Sequence, residues 1–561
     1  MIRNSNTEFT SAIGLLLAFL AIAAHAQQGS LTYEDYVEMA AEGVQAGEYL
    51  AAARNWVEAA RLSKKPEDAQ KATRFAYSFG FDAEALQAAE RWLELDRDNE
   101  QAIIYVAQLQ LRQGLVRPSK RNFKRILKMS EGPEDERLLS FVSLLSEEEP
   151  VAAYELLKDL AKPYRDSASA NYAVAVMAMS ADDIDTAVER AKLAVEQDPD
   201  WLKAKLLYGR TLLFAGEEDA AIDYTARIVG DDPDPDPEAR MELALLFMSV
   251  GRNDDALSQV NQVLLEQPSR ADAIRLMAII NFREQRFDAA WSDFEDLLST
   301  RRYTNDALFY LARIADIREE VDRAIRLYAG VQTGPNAVPA QRRASALMAF
   351  ENEEPEQAIA MLEAFAQTSP ANAIDVVLAK AQLLTSMDRY DDALVYYDRF
   401  VDFRPDSENG MLGRAEVLLR MDRLDDAITQ YRDSVKRYPE SATSLNALGY
   451  TLADRSTRPD DWKEADALIR KALDKDPDNP AIIDSMGWVL FRLGQPEAAL
   501  VELERAYAAF DDPEVAAHIV EVLHTLDRSD EAMTMLEAAE EKDPDNELLD
   551  AVRKRLFPDA D

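Results

Sequence analysis

The sequence contains no cysteine, three histidines and 18 glycines among its 561 residues. The absence of cysteine excludes disulfides, thiolate zinc sites, cysteine nucleophiles and lipid attachment through a thiol. His518 and His524, the histidines after residue 26, are six apart and do not share a helix face as a metal-binding pair four apart would. No glycine-rich phosphate loop and no Gly-x-Ser-x-Gly motif occurs. We therefore predict no enzymatic activity, no metal and no cofactor.

Basic residues are scarce, since 63 Lys and Arg stand against 104 Asp and Glu, a formal net charge of −41. This charge argues against nucleic-acid binding and against a broad attraction to anionic lipid. The one dense basic cluster consists of Arg117, Lys120, Arg121, Lys124, Arg125 and Lys128. Helical spacing turns Ser119, Phe123 and Ile126 inward, which puts the cations on the outer side. They form a solvated face there, or they meet membrane headgroups or an acidic partner.

The sequence has one long apolar run, the thirteen residues from Ala12 to Ala24. The run leads into Ala24-His25-Ala26, an A-x-A cleavage site, so residues 1–26 are expected to be a signal peptide. Thirteen residues are too few for a transmembrane helix, which needs roughly 20. The alternative is an uncleaved anchor in the membrane interface. We expect an exported, soluble protein with a mature start near Gln27 and no transmembrane span.

The main positive feature is a ladder of small residues, fourteen of fifteen of them alanine, and thirteen of its fourteen intervals are 33 to 35 residues. A period of 34 is typical of a helix–turn–helix solenoid. The ladder residues, taken as position 20 of each unit, are Ala52, Ala85, Ser119, Ala153, Ala187, Ala221, Ala256, Ala290, Ala324, Ala358, Ala393, Ala427, Ala465, Ala499 and Ala532.

Two further positions of the repeat unit carry the same kind of residue along the chain. Position 27 is apolar in fourteen of fifteen units and shares a helix face with position 20. Position 8, on the first helix, is mostly Ala or Gly, including Ala346, Gly449 and Gly487, which lets two helix backbones approach closely. Four extra residues near Ser456 are expected to lengthen a loop. We predict an all-α solenoid of about 15 units over 33–546, followed by a capping helix and tail over 547–561.

The residues at positions 8, 20 and 27 identify the unit as a tetratricopeptide repeat. Its pattern of Leu-Gly, then Ala and Pro, recurs as Leu448-Gly449 with Ala465 and Pro477. The resemblance implies a right-handed superhelix in which the first helices line the concave face and positions 2, 5, 9 and 12 point into it. The sequence lacks the Lys and Asn pair of the chaperone-type carboxylate clamp, so that function is not expected.

A narrower resemblance covers about residues 440 to 525. It is carried by Asp484-Ser485-Met486-Gly487-Trp488-Val489-Leu490 and by Asp512-Pro513-Glu514-Val515-Ala516-Ala517-His518. These stretches resemble exported tetratricopeptide proteins of Gram-negative bacteria, a group that includes the outer-membrane lipoprotein adaptor (LbcA type) of a carboxyl-terminal processing protease. That adaptor promotes the degradation of peptidoglycan hydrolases. A lipoprotein needs a cysteine at the cleavage point, where this chain has Gln27, so outer-membrane docking would have to go through another protein.

Two groups of residues are candidates for partner binding. Arg275, Arg313 and Arg343 fall on inward positions of consecutive units and could hold an acidic segment or a chain terminus, or pair with neighbouring carboxylates. Tyr450, Trp488 and Phe491 could be hot spots for a peptide or a helix, or pack between adjacent first helices.

The function expected from the resemblance is that of a non-catalytic periplasmic adaptor. It would bind a PDZ-containing carboxyl-terminal processing serine protease and present cell-wall hydrolases to it. The alternative is a general scaffold for assembling a pilus, secretion or polysaccharide system in the envelope.

Overall fold

The computed structural model describes residues 31–129, 132–230 and 234–558, and the predicted signal peptide lies outside them. Across the described ranges the regular structure is entirely helical. The chain divides into two compact units, the first ending at Ala373 and the second starting at Ile374, and each is described by itself.

The helices of the first unit are numbered α1 to α20. Their bounds are Tyr33–Gln45, Tyr49–Leu62, Pro66–Ser78, Asp82–Leu95, Glu100–Arg112, Val116–Met129, Glu134–Leu145, Pro150–Ala161, Ala168–Ser180, Ile184–Gln197, Leu202–Phe214, Glu218–Gly230, Pro237–Ser249, Asn253–Glu266, Ala271–Arg283, Phe287–Ser299, Thr304–Ile317, Val321–Ala329, Ala337–Phe350 and Pro355–Thr368. Single 3₁₀ turns occupy Lys162–Tyr164 and Pro370–Asn372.

The helices of the second unit are α21 to α31. Their bounds are Ala373–Ser386, Tyr390–Phe403, Glu408–Arg420, Leu424–Arg437, Ala442–Arg455, Pro459–Lys475, Pro480–Arg492, Pro496–Ala509, Pro513–Thr525, Ser529–Lys542 and Glu547–Leu556. The helices from α1 to α30 form 15 pairs, so the predicted all-α solenoid of about 15 repeats is confirmed, and α31 follows the last pair as the expected capping helix.

The alanine ladder lies at the centre of every pair. All fifteen ladder residues have no solvent exposure, because each sits where the second helix crosses the first. Ser119, the exception to alanine, donates its hydroxyl to the carbonyl oxygen of Ala107 at 2.8 Å, so its polar group is satisfied inside the core. The small side chain at the centre of each helix pair therefore allows a close distance between its two helices.

Close backbone approach also explains the glycines at position 8. A Cβ atom added to Gly487 would lie 2.5 Å from Cγ of Leu503 and 3.1 Å from the carbonyl oxygen of Ala499, on the partner helix. A Cβ on Gly449 would lie 2.6 Å from Cγ1 of Ile469. The expectation that small residues bring the two backbones together is confirmed at both places.

The register of position 8 differs from the expectation in the tenth pair. Ser345, and not Ala346, is the fully buried residue there, while Ala346 is half-buried. The loop from Glu351 to Glu354 has four residues, one more than the three-residue loops of most pairs. Counting twelve residues back from Ala358 therefore stops at Ala346, one residue short of the buried Ser345.

The prediction that the insertion near Ser456 lengthens a loop is wrong. The loop between α25 and α26 has three residues, and α26 instead runs for 17 residues where most second helices have 14. Pro459 stands at the first position of α26, where no hydrogen bond is lost through its missing N–H. Asp460 and Asp461 lie in the first turn, where their negative charge interacts favourably with the positive end of the helix dipole. The extra residues are helical because they make a good helix start.

Candidate partner-binding faces

The arginine face, defined as Arg275, Arg313 and Arg343, lies on three consecutive first helices, α15, α17 and α19. Its two outer members are ion-paired to the middle helix. Arg275 donates through Nε to Asp306 at 2.6 Å, near the start of α17. Arg343 makes a two-pronged contact with Asp316, near the end of α17, at 2.7 and 2.9 Å. These ion pairs tie the three helices together.

Arg313 is placed differently from the other two. It lies on α17 itself, it is exposed, and its guanidinium carbon sits 4.7 Å from the ring centre of Phe282. Within the described residues it has no ion pair. A cation over an aromatic ring keeps its charge available to solvent and to a ligand. Arg313 is therefore the member of the arginine face whose charge is not neutralised by a carboxylate.

The three arginines form a line and not a single pocket. Asp306 and Asp316 are ten residues apart on α17, which is about 15 Å at 1.5 Å per residue. Burial, followed by the charge of Asp316 and by its hydrogen bond, raises the pKa of Tyr328 beside this line, so its hydroxyl stays protonated as a donor to Asp316. An acidic partner would meet one free cation on this face, at Arg313.

A groove next to the arginine face was not anticipated from the sequence. It has a volume of about 320 Å³, and Leu206, Met241 and Leu276 form part of its apolar lining. Arg210 crosses it and donates through Nε to the buried carboxylate of Glu242 at 2.8 Å. The groove takes residues from the first helices α9, α11, α13 and α15, and Arg275 belongs to its wall. Apolar side chains three or four apart on these helices were visible in the sequence, but they read equally well as core.

The second candidate group, Tyr450, Trp488 and Phe491, lies on α25 and α27. The structure brings these residues together around His518 of α29. The rings of Trp488 and His518 are stacked, with centres 4.1 Å apart, and the rings of Trp488 and Phe491 are 5.3 Å apart. Tyr450 lies 6.3 Å from His518 and donates its hydroxyl to Glu514. We call the following six residues the aromatic cluster: Tyr450, Asp484, Trp488, Phe491, Glu514 and His518.

An ion pair lies inside the aromatic cluster. Nδ1 of His518 is 2.9 Å from Oδ1 of Asp484, and both side chains are only 8% exposed. Burial works to lower the pKa of His518, but the hydrogen bond and charge of Asp484, with the charges of Glu514 and Glu521, outweigh it and raise the pKa above its ordinary value. The imidazolium form is therefore favoured. The partner of His518 in this cluster is the carboxylate of Asp484.

Exposure separates the members of the aromatic cluster. Trp488 is 5% exposed, so it packs between adjacent first helices as the alternative interpretation had it, and its indole N–H is buried without an acceptor among the described residues. Tyr450 and Phe491 are half-buried. Burial, and then the charge and hydrogen bond of Glu514, raise the pKa of Tyr450. A partner meeting this surface would contact Tyr450 and Phe491 before Trp488.

Comparison with known proteins agrees with the helix pairs. Three segments match the tetratricopeptide repeat family, at residues 241–302, 412–480 and 485–547. These segments contain Arg275, Tyr450, Trp488 and Phe491. The matched segments and the helix pairs agree with a tetratricopeptide-repeat solenoid, and repeats of this kind suggest a scaffold for protein–protein interaction.

One curated relative is the TPR repeat-containing protein PA4667 of Pseudomonas aeruginosa, which is 33% identical to this chain over 215 residues. The aligned region covers 38% of this chain and 36% of that protein, about a third of its length.

Among solved structures, a thermophilic TPR protein of Thermus thermophilus is 22% identical with a TM-score of 0.30, covering 33% of this chain and 97% of its own. The APC/C hetero-tetramer Cut9-Hcn1 is 16% identical with a TM-score of 0.36, covering 93% of this chain and 96% of its own. Both likenesses concern the helical-repeat fold alone. In the part of the chain that the structure describes, no helix has the length and apolar content needed to cross a membrane.

Proposed function

We propose that this chain is a non-catalytic adaptor, exported to the periplasm, that binds a carboxyl-terminal processing protease and promotes the degradation of peptidoglycan hydrolases. An adaptor of this kind acts by raising the local concentration of substrate near the protease. A long array of helix pairs suits this task, because separate repeats can hold separate proteins.

The observation that carries the proposal is the joining of the two stretches on which the resemblance rests. Asp484 and Trp488 of the first stretch both contact His518 of the second, through the 2.9 Å ion pair and the 4.1 Å ring stack. Asp512 begins the second stretch and accepts a hydrogen bond from the N–H of Glu514, which caps α29. The residues that resemble the adaptor group thus form one packed unit and are not scattered matches to the repeat.

The arginine face is the part of this chain that we assign to an acidic segment or chain terminus of a partner. Arg313 supplies the free charge, and the groove that has Arg275 in its wall supplies apolar lining for side chains of the same partner. We assign the exposed edges of Tyr450 and Phe491 to a second contact in the other unit.

A capture experiment tests the proposal. The chain 27–561 is immobilised, exposed to periplasmic extract, and the bound proteins are identified by mass spectrometry. A PDZ-containing serine protease recovered together with cell-wall hydrolases is the expected result. Substitution of Arg313→Glu should reduce one of these proteins, while Lys436→Glu, the same charge change on an exposed residue of α24, should not.

The other outcome of that capture supports the alternative function. Recovery of pilus, secretion or polysaccharide components without the protease would contradict the adaptor proposal and favour a general envelope scaffold.

A further inference from the structure

Four cations form a stripe along the outer side of α6, the second helix of the third pair. Arg117, Arg121, Lys124 and Lys128 are spaced at i, i+4, i+7 and i+11, which places them on one face over about 16 Å. All four are exposed. Their neighbours Lys120 and Arg125 are instead bound to Asp159 at 2.6 Å and to Asp98 at 2.9 Å. We call the four exposed residues the α6 stripe.

The α6 stripe has no counterpart in the other pairs. Within the described chain, none of its four cations has a carboxylate partner, and α6 is the one second helix without an Asp or Glu. At the same four positions, no other pair carries more than two cations. There are ten such cations within the described chain. Lys192, Arg326 and Lys436 have no ion pair there, and the ion-paired ones are Arg54, Arg61, Lys158, Lys162, Arg432, Lys463 and Arg470.

The first cation of the stripe stands against the local helix electrostatics. Arg117 lies in the first turn of α6, where the helix dipole favours negative charge. Ten of the other fourteen second helices place an acidic residue at this position. They are Asp185, Asp219, Asp254, Asp288, Asp322, Glu356, Asp391, Asp425, Glu497 and Asp530. A cation that helix stability disfavours, in a chain of net charge −41, indicates a use outside the fold.

Apolar side chains are exposed at both ends of the stripe. Leu115 and Val116 precede Arg117, Met129 follows Lys128, and Val151 occupies the position of Arg117 in the next second helix; all four are at least 38% exposed. Cations flanked by exposed apolar groups suit the headgroup region of a bilayer, where the cations meet phosphates and the apolar groups enter the acyl boundary. A purely acidic protein segment would leave these apolar groups unused.

We infer that the α6 stripe docks this protein on an anionic phospholipid surface. The large negative charge elsewhere on the chain does not prevent this, because the Debye length is about 8 Å at physiological salt and repulsion from more distant carboxylates is screened. The cation closest to the helix start and the exposed Leu115 and Val116 lie together, so contact begins at the amino end of α6. This inference is independent of the protease proposal.

Vesicle co-sedimentation tests the inference. The chain 27–561 is mixed with phosphatidylcholine vesicles, either pure or containing about a third phosphatidylglycerol, at about 0.1 M salt. We expect binding to the anionic vesicles and not to the neutral ones. The double variant Arg121→Gln/Lys124→Gln should bind at least tenfold more weakly, since each cation near an anionic surface contributes about fivefold.

The matched control is Lys436→Gln/Arg437→Gln, which removes the same charge from exposed residues of α24 and should leave vesicle binding unchanged. Equal binding to both vesicle types, or equal loss in both double variants, would overturn the inference. So would binding of soluble poly-glutamate to the stripe without binding to anionic vesicles. Protease-dependent degradation measured without vesicles should not respond to the Arg121→Gln/Lys124→Gln variant, so the two proposals can fail separately.

Discussion

The arginine face and the aromatic cluster use equivalent positions of the repeat in opposite ways. Arg313 and Trp488 both stand at position 9 of a first helix, yet Arg313 is exposed and Trp488 is 5% exposed. Arg275 and Asp484 both stand at position 5, and each is paired with a residue of the next first helix. The difference is that the Asp484–His518 ion pair of the aromatic cluster is buried, whereas the arginine face keeps its charges at the surface.

A position in the repeat fixes the direction of a side chain but not its exposure. Exposure depends on the neighbouring first helix. In the second unit, α29 supplies a histidine ring that covers Trp488. In the first unit, Arg313 lies over the face of Phe282 and has no ion pair among the described residues, so its charge is not neutralised.

The largest effect should follow from removing His518. Substitution of His518→Ala leaves the buried Asp484 carboxylate without its partner, which should reduce the free energy of unfolding by about 3–5 kcal/mol. His524→Ala is the control, because His524 has a half-buried ring and no ion pair within the described residues. Urea unfolding of both variants measures the difference. Equal losses would contradict the buried ion pair.

The same pair gives a pH dependence. Although burial opposes it, the pair with Asp484 raises the pKa of His518 above its ordinary value, so the folded state binds its proton more tightly than the unfolded state. The resulting stability is fully present below the unfolded pKa and is lost as the pH rises through the folded pKa. The difference in unfolding free energy between the wild type and His518→Ala should therefore shrink as the pH rises above the ordinary histidine pKa of about 6.5 and through the raised folded value. A constant difference would show that the imidazolium is not the favoured form.

The next effect concerns the backbone spacing that holds Trp488. Gly487→Ala would place a Cβ atom against Leu503 and against the carbonyl oxygen of Ala499, forcing α27 away from α28. Overpacking of this kind typically costs about 1–3 kcal/mol. Gly230→Ala is the matched control, since a Cβ atom there meets nothing within 4 Å. Thermal unfolding midpoints should fall for Gly487→Ala alone.

A similar test applies to α19, the helix that carries Arg343. Ser345→Leu should destabilise the protein by about 1–3 kcal/mol, because Ser345 has no exposed surface. Ala346→Leu should be tolerated, because the neighbouring position is half-buried. A lower thermal midpoint for Ala346→Leu than for Ser345→Leu would contradict this register and support the sequence-based one, in which Ala346 occupies position 8.

The smallest effect is expected on the arginine face. Arg343→Ala breaks a contact with Asp316 in which Arg343 remains half exposed, and such surface pairs contribute roughly 1 kcal/mol or less. Arg313→Ala breaks no ion pair among the described residues and should cost less still. Partner capture should show the opposite order, with Arg313→Ala the more damaging. Equal effects on capture would remove the distinction between paired and free arginines.

Much of the fold followed from the sequence because one physical requirement repeats along it. A small side chain is needed wherever two helices cross, so the ladder from Ala52 to Ala532 could be read directly. The one-residue shift at Ser345 and the helical insertion after Ser456 could not be predicted in this way. The spacing of the ladder counts the residues between two repeats but does not show whether they lie in a loop or in a helix.

The candidate sites were harder to predict than the fold. Their residues were identified by position, but their partners come from neighbouring helices that are rich in carboxylates. Nothing in the sequence distinguishes Asp316, which binds Arg343, from the many acids that bind nothing. The covering of Trp488 by His518 likewise depends on a residue 30 positions away. The α6 stripe was visible as a cluster, but its lack of ion pairs needed the structure.

The adaptor proposal is tested most directly by reconstituted proteolysis. A purified carboxyl-terminal processing protease and a peptidoglycan hydrolase are mixed with and without this chain, and the loss of hydrolase is followed over time. The account predicts faster loss in the presence of the chain and a smaller increase with Arg313→Glu than with Lys436→Glu. An unchanged rate of hydrolase loss, with or without the chain, would contradict it.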